Sequence, residues 1–352
     1  MMMNNTIFQT NNMIKKTKVA IFSDLHLGIY GNSEKWHETA LTWADWIVDE
    51  LNQKKIKDIF FLGDFFDNRS EISVQTIHVA SKIIEKFKKF NVFMIIGNHD
   101  AYYKNRSDVH SLGMMKGHEN ITLIDKNLEF EAFNKRFLFV PWNNDIPNSK
   151  YDYIFGHFEI QTFKMNNYTV CNHGLNPVDI LIEKTNAVFS GHFHNRNSKK
   201  YNEGSIYYVG SCFPLDFSDQ NNTKGYHILD IEDGSIEFFE NTVSPRFIKL
   251  ALSEYESYEE SDIENNIIKL IVDSELSEEE FTKISNIFKS YNPWQISFEY
   301  NVNSKTLNDV ENIDSIDIKE MFEEFYDQLG LDDDQLTRIK KINEDLYEKN
   351  KI

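Results

Sequence analysis

With 352 residues, 41% hydrophobic and 26% charged, the chain has enough apolar material for a core and is long enough for two domains. No apolar run approaches the roughly 18 residues that span a bilayer, and two cysteines, Cys171 and Cys212, exclude a disulfide framework or a zinc ribbon. The net charge of -19 argues against a nucleic-acid protein, yet residues 251–352 carry 26 Asp+Glu against 10 Lys+Arg, while residues 1–250 carry 30 against 27. The acidic field therefore belongs mostly to the last third, and the rest is neutral enough to approach a phosphodiester backbone.

Residues 1–16 contain no basic end followed by an apolar stretch, so they read as a disordered leader rather than a secretory signal, with Met13 a candidate start. From residue 17 one pattern repeats. Val19–Phe22 leads through Ser23 to Asp24 and His26, Ile59–Leu62 leads to Gly63-Asp64, and Val92–Ile96 leads to Gly97-Asn98-His99-Asp100. Tyr153–Phe155 leads to Gly156-His157, Ala187–Phe189 to Ser190-Gly191-His192-Phe193-His194, and Ile206–Val209 to Gly210-Ser211.

Short runs of Ile, Val and Phe closed by Gly predict buried strands. Between the first three lie helical patterns: Trp36, Ala40, Trp43, Ile47 and Leu51 behind a Ser33 cap, then Ile77, Ala80, Ile84, Phe87 and Phe90. Strand–helix–strand alternation predicts a layered α/β domain over residues 17–245, with its ligands at the carboxyl ends of the strands. Beyond it the sequence predicts a small α+β module (246–302), a polar linker (303–315) and a helical segment (316–352) with two apolar stripes. Such short amphipathic helices need a surface to pack on, either a helical groove on a partner or the chain's own small module.

Asp24, His26, Asp64, Asn98, His157, His192 and His194 make two carboxylates, one amide and four imidazoles, enough for two metals with Asp64 as a bridge. In Asp24-x-His26 and His192-x-His194 the i, i+2 spacing on extended chain lets both side chains face one way. Mixed imidazole and carboxylate donors favour manganese, iron or zinc over calcium or magnesium. Two such ions can activate a shared water and clamp a phosphoryl group.

In their order, DLH, GDFFD, GNHD, GH and GHFH resemble the calcineurin-like metallophosphoesterases over roughly Lys18 to Asp230. The resemblance implies a two-sheet sandwich flanked by helices. It assigns Asp24, His26 and His194 with Asp64 to one metal, and Asn98, His157 and His192 with Asp64 to the other. It makes His99 the catalytic general acid or transition-state stabiliser, hydrogen-bonded to Asp100.

SDLHLG, LGDFFD, Val140-Pro141-Trp142, SGHFHNR and YVGSCFPLDF are further similar to nuclease subunits of double-strand-break repair and recombination complexes, of the SbcD and T-even phage types. That likeness implies DNA as substrate, two Mn2+ ions, an SMC-like coiled-coil ATPase partner of the SbcC type, and a homodimer formed through helices near residues 70–118. Asp67 stands where some relatives carry a second active-site His, and is expected to support the ligands from behind.

Lys104, Arg106 and Arg196 follow the motifs closely and are candidates for DNA phosphates. His173 lies in a loop that could reach substrate. His37, His78, His110, His118 and His227 have no ligand-like context, and Cys212 reads as packing. Two rival readings are a phosphoesterase for nucleotides or phosphoproteins, and a scaffold with a vestigial site.

Overall fold

The computed structural model describes residues 14–181, 185–202, 204–274 and 277–300. Four parallel strands come first: β1 (Lys18–Phe22), β2 (Asp58–Phe61), β3 (Asn91–Ile95) and β4 (Ile121–Ile124). The next six are β5 (Leu128–Ala132), β6 (Lys135–Val140), β7 (Tyr153–His157), β8 (Ala187–Gly191), β9 (Asn197–Tyr201) and β10 (Gly204–Tyr208). They form a second sheet in the order β5-β6-β7-β8-β10-β9. The chain then returns to the first sheet through β11 (Gly225–Asp230) and β12 (Ile236–Glu240), giving the order β12-β11-β1-β2-β3-β4.

The strands of the first sheet are apolar on both faces because both are covered. Val19 and Ile21 of β1 face the second sheet, while Ala20 and Phe22 face the helices. The layer between the sheets is aromatic. Phe60 of β2 meets Phe139 of β6 and Phe155 of β7 edge-on, at ring-centroid separations of 4.9 and 4.8 Å. Fully burying one such ring contributes about 1.5–3 kcal/mol.

Helix α1 (Glu34–Gln53) buries Trp36, Ala40, Trp43, Ile47 and Leu51 against the outer face of the first sheet, as their spacing predicts. Ser33 occupies the position before the helix, but its side chain makes no capping bond. Helix α2 (Val74–Lys86) is capped instead by Ser73, whose hydroxyl accepts the Thr76 N–H at 3.0 Å. In α2 the buried stripe runs through Val79, Ala80, Ile83 and Ile84, and Ile77, expected on it, faces solvent.

Of the expected leader, residues 1–13 lie outside the described residues, and residues 14–16 belong to the fold. Ile14 is buried in the inter-sheet core, and the amides of Lys15 and Lys16 donate to the buried Asp58 carboxylate.

Strands β13 (Phe247–Ala251), β14 (Ile267–Val272) and β15 (Gln295–Tyr300) form a third sheet. Helix α3 (Glu278–Ser290) packs on it through Ile284 and Phe288. Ser277 and Glu280 form a reciprocal capping box at its start. Trp294 meets Trp36 of α1 at 5.3 Å, joining this module to the sandwich. The chain separates into units 1–299 and 300–352; the expected linker and helical segment, 303–352, lie outside the described residues. Among the described residues no helix is long and apolar enough to cross a membrane.

Candidate metal centre

Every expected ligand stands at or just beyond the carboxyl end of a strand. Asp24 and His26 follow β1, Asp64 follows β2, Asn98 follows β3, His157 ends β7, and His192 and His194 follow β8. The two sheets therefore meet in one cluster at their shared edge. The loops after β1 and β2 are laced together by backbone bonds from Asp24 to Gly63 and from Leu25 and His26 to Asp64.

The backbone is strained to achieve this. Asp24, His26, Asp64 and His192 all have left-handed φ, at 56°, 47°, 56° and 86°, a region costly for non-glycine residues and concentrated at functional sites. Gly97 is required by crowding: a Cβ there would lie 2.2 Å from Oδ1 of Asp64.

Among the described residues three donor groups emerge, Asp24–His26–His194, Asp64–His157–His192 and, overlapping both, His26–Asp64–His99, each with ligand atoms within 4.8 Å of one another. The first closes through Nε2 of His26 and Nε2 of His194, 3.0 Å apart. In the second, Oδ1 of Asn98 lies 2.8 Å from Nε2 of His157 and 2.8 Å from Nδ1 of His192. Oδ2 of Asp64 lies 3.2 Å from His157 and 3.7 Å from His26, between the two groups.

The hydrogen-bonding roles test whether cations fit. The Leu62 carbonyl, 2.7 Å from Nδ1 of His157, can only accept, so the proton of the neutral ring is there. Nε2 then offers a lone pair toward Asn98 and Asp64, which are also acceptors. Nδ1 of His26 lies 3.1 Å from Asp67 Oδ1, and Nε2 of His192 lies 3.3 Å from Glu159 Oε1. Each of these rings thus has an outer acceptor and an inner lone pair, the arrangement by which metal-binding histidines are oriented. The donor set fits two divalent ions.

The charges agree. Burial opposes ionisation of Asp64, but His157, His26 and His99 hold its carboxyl far below the usual range. Burial pushes the Asp24 carboxyl up, partly countered by His157. His157 is disfavoured as a cation by burial, yet Asp64 and Asp24 raise it to about 9. Burial and then His26 push His194 well down, so it accepts.

His99 is half-buried at the rim. Its backbone N–H donates to Asp64 Oδ1 at 2.7 Å, and its Nδ1 lies 2.5 Å from the Asp67 carbonyl oxygen. The expected bond to Asp100 does not form. The Asp100 carboxylate points into the loop and accepts from the amides of Gly97, Asp64, Phe65 and Phe66. Burial and neighbouring Asp64 raise it to about 7. Its role is to fix the loops that carry Asp64 and Asn98.

The three cationic candidates differ. Lys104 is exposed, and its carbonyl accepts from Nε1 of Trp142 at 3.2 Å. Arg106 pairs with Asp108 at 2.9 Å and lies over the Tyr103 ring. Arg196 is not presented to the cluster. Its guanidinium lies 3.9 Å from the Phe238 ring centroid, and its Nε donates to the Thr223 carbonyl.

Sequence reading gave no site role to three neighbours, of which Trp142 appeared only within the Val140-Pro141-Trp142 segment. Trp142 packs against His192 at 5.2 Å between centroids. Glu159 holds His192 and also faces His173, with 3.5 Å to its Nε2. Buried Lys224 pairs with buried Asp219 and donates to the His194 carbonyl. Only Glu159, two residues beyond His157, carried any spacing signal.

Residues 17–196 match the family model described as calcineurin-like phosphoesterase. The chain is 24% identical over 239 residues to exonuclease subunit 1 of Enterobacteria phage T4, covering 64% of this chain and 68% of that protein. It is 24% identical over 312 residues to the DNA double-strand break repair protein Mre11 of Nanoarchaeum equitans, covering 77% and 81%. Against the SbcD component of the SbcCD nuclease of Staphylococcus epidermidis it is 25% identical over 260 residues, covering 62% and 67%. With over half its length matched and the donor groups gathered at the strand ends, the chain belongs to the calcineurin-like phosphoesterases.

Proposed function

We propose that this chain is a DNA nuclease subunit that hydrolyses phosphodiesters with two Mn2+ ions and acts in recombination, repair or replication. One observation carries the reading. The likeness to the archaeal repair protein covers 77% of the chain, so it extends past residue 196, where the family match ends, toward the small module. The relatives' names, exonuclease, break-repair protein and nuclease, share one substrate class.

The ions would supply Lewis acidity toward the scissile phosphoryl group and toward an attacking water. Asp24, His26, His194 and Asp64 would hold one, and Asn98, His157, His192 and Asp64 the other. Asp67 and Asp100 support them, through the His26 ring and through the loop amides respectively. His99 donates its Nδ1–H to the Asp67 carbonyl, which turns Nε2 toward the cluster. From there a protonated ring delivers its Nε2 proton to the leaving oxygen.

Exposed Lys104 and Arg106 supply positive charge beside the site for flanking phosphates, while Arg196 is committed elsewhere. The name of the staphylococcal relative, a component of SbcCD, supports an SbcC-like SMC ATPase as partner. Val74, Ile77 and Met114, exposed within residues 70–118, are apolar surface that a homodimer through these helices would cover. Replacing His99 with Ala tests the mechanism. Cleavage is expected to fall about 10²–10⁴-fold with two ions retained by elemental analysis; loss of one ion would make His99 a ligand instead.

A further inference from the structure

The histidines around the two donor groups are not held alike. His26 and His157 turn Nε2 inward, so the nitrogen left outside is Nδ1, close to the backbone, where Asp67 and the Leu62 carbonyl reach it. His192 is reversed. Its Nδ1 faces Asn98 at 2.8 Å, and its Nε2, at the far tip of the ring, points away from the cluster. Only a side chain reaching over from another element can hold that tip, and Glu159 Oε1 does so at 3.3 Å.

Glu159 is itself fixed twice. Its carbonyl accepts the Leu175 N–H at 2.8 Å, and the loop closes tightly there, since a Cβ on Gly174 (φ +80°) would lie 2.3 Å from that same oxygen. Its second carboxylate oxygen faces Nε2 of His173 at 3.5 Å. One carboxylate therefore spans two imidazoles, one at the metal centre and one at the surface.

We propose that Glu159 is the positioning residue for His192 and sets the affinity of the ion held by Asn98, His157, His192 and Asp64, with His173 steadying Glu159 from outside. The acceptor keeps the ring proton on Nε2 and the lone pair of Nδ1 aimed inward. It also prevents rotation of a ring carried on a strained turn. Outer partners of this kind typically change metal affinity about 10–100-fold when removed. The inference rests on the metal-centre reading and is independent of DNA as substrate.

Mn2+ titration of the full-length chain without DNA tests it, by calorimetry and by electron paramagnetic resonance. The natural chain should bind two ions and, at two equivalents, give the spectrum of a spin-coupled pair. Glu159→Ala should weaken one binding step about 10–100-fold, leave the other in place and remove the coupled signal at two equivalents. Glu159→Gln, which keeps an acceptor oxygen, should restore part of the loss, and His173→Ala should shift the same step less. Two unchanged steps in a folded Glu159→Ala chain, or equal weakening of both, would overturn the proposal alone. Should that variant fail to fold, Glu159→Gln decides: an unchanged second step overturns the role and a weakened one supports it. If the natural chain binds fewer than two ions, the metal-centre reading fails and takes this proposal with it.

Discussion

Nδ1 of His157 lies 2.7 Å from the carbonyl oxygen of Leu62, and this contact decides which nitrogen faces the Asp64 carboxylate. A carbonyl accepts only, so the inner nitrogen is free to bind a cation. The same logic at His26 and His192 makes the cluster a set of lone pairs aimed at common points. Divalent metal should therefore stabilise the fold. At a free Mn2+ concentration of 100 times the dissociation constant, each site adds about 2.7 kcal/mol. Calorimetric melting with Mn2+ and then with excess chelator should show a rise of several degrees and its reversal; an unchanged melt would mean the cluster binds no ion.

The Lys224–Asp219 pair is buried at both ends and tied to the His194 carbonyl. Burial pushes the Lys224 amine down, and Asp219 opposes that shift. Lys224→Met should cost about 3–5 kcal/mol, because an uncompensated carboxylate remains inside. The double variant Lys224→Met with Asp219→Leu should recover much of the loss. Urea unfolding of both single variants and the double gives the coupling, and strictly additive losses would show that the two charges do not interact.

His227 sits in β11 with its ring against Phe238. Burial, reinforced by the Arg196 charge, lowers it to about 3, against about 6.5 in an unfolded chain. Between these values the unfolded chain binds the extra proton, so this contribution to stability is complete above pH 6.5 and is lost as pH falls toward 3. The slope approaches about 1.4 kcal/mol per pH unit. His227→Phe should therefore lose about 1.6 kcal/mol less than the natural chain between pH 6.5 and pH 5, measured by urea unfolding at each pH. Equal losses would place the acid sensitivity elsewhere.

Much of this was legible in the sequence, because β2, β3, β7 and β8 each end in a glycine followed by a donor, and β1 in Ser23 followed by Asp24. Gly63-Asp64 and Gly97-Asn98 advertise both the strand end and the crowding behind it. The layered α/β class and the shared strand-end cluster follow from that repetition, while the two-sheet sandwich was implied by the family resemblance. Strands β4, β5, β9 and β12 have partly exposed faces that break the apolar runs, and β6 and β11, though buried, end in no such motif, so the full six-stranded sheets were hidden. The contact of His99 was misread for a different reason. The family resemblance implied Asp100 as its partner, but the Asp100 side chain turns inward to four amides, leaving the Asp67 carbonyl for the imidazole. Glu159 and Lys224 look like ordinary surface charges in sequence, and only the tertiary fold brings them to the ligands.

The proposed activity is tested most directly by incubating the full-length chain with end-labelled duplex DNA and a phosphomonoester such as p-nitrophenyl phosphate, with Mn2+, Mg2+ or no metal. The imidazole-rich donor set predicts cleavage with Mn2+, much slower cleavage with Mg2+, which prefers oxygen ligands, and none without metal. It also predicts that DNA is degraded in preference to the monoester. Intact DNA alongside rapid Mn2+-dependent monoester turnover would contradict the nuclease reading and leave a small-molecule phosphoesterase in its place.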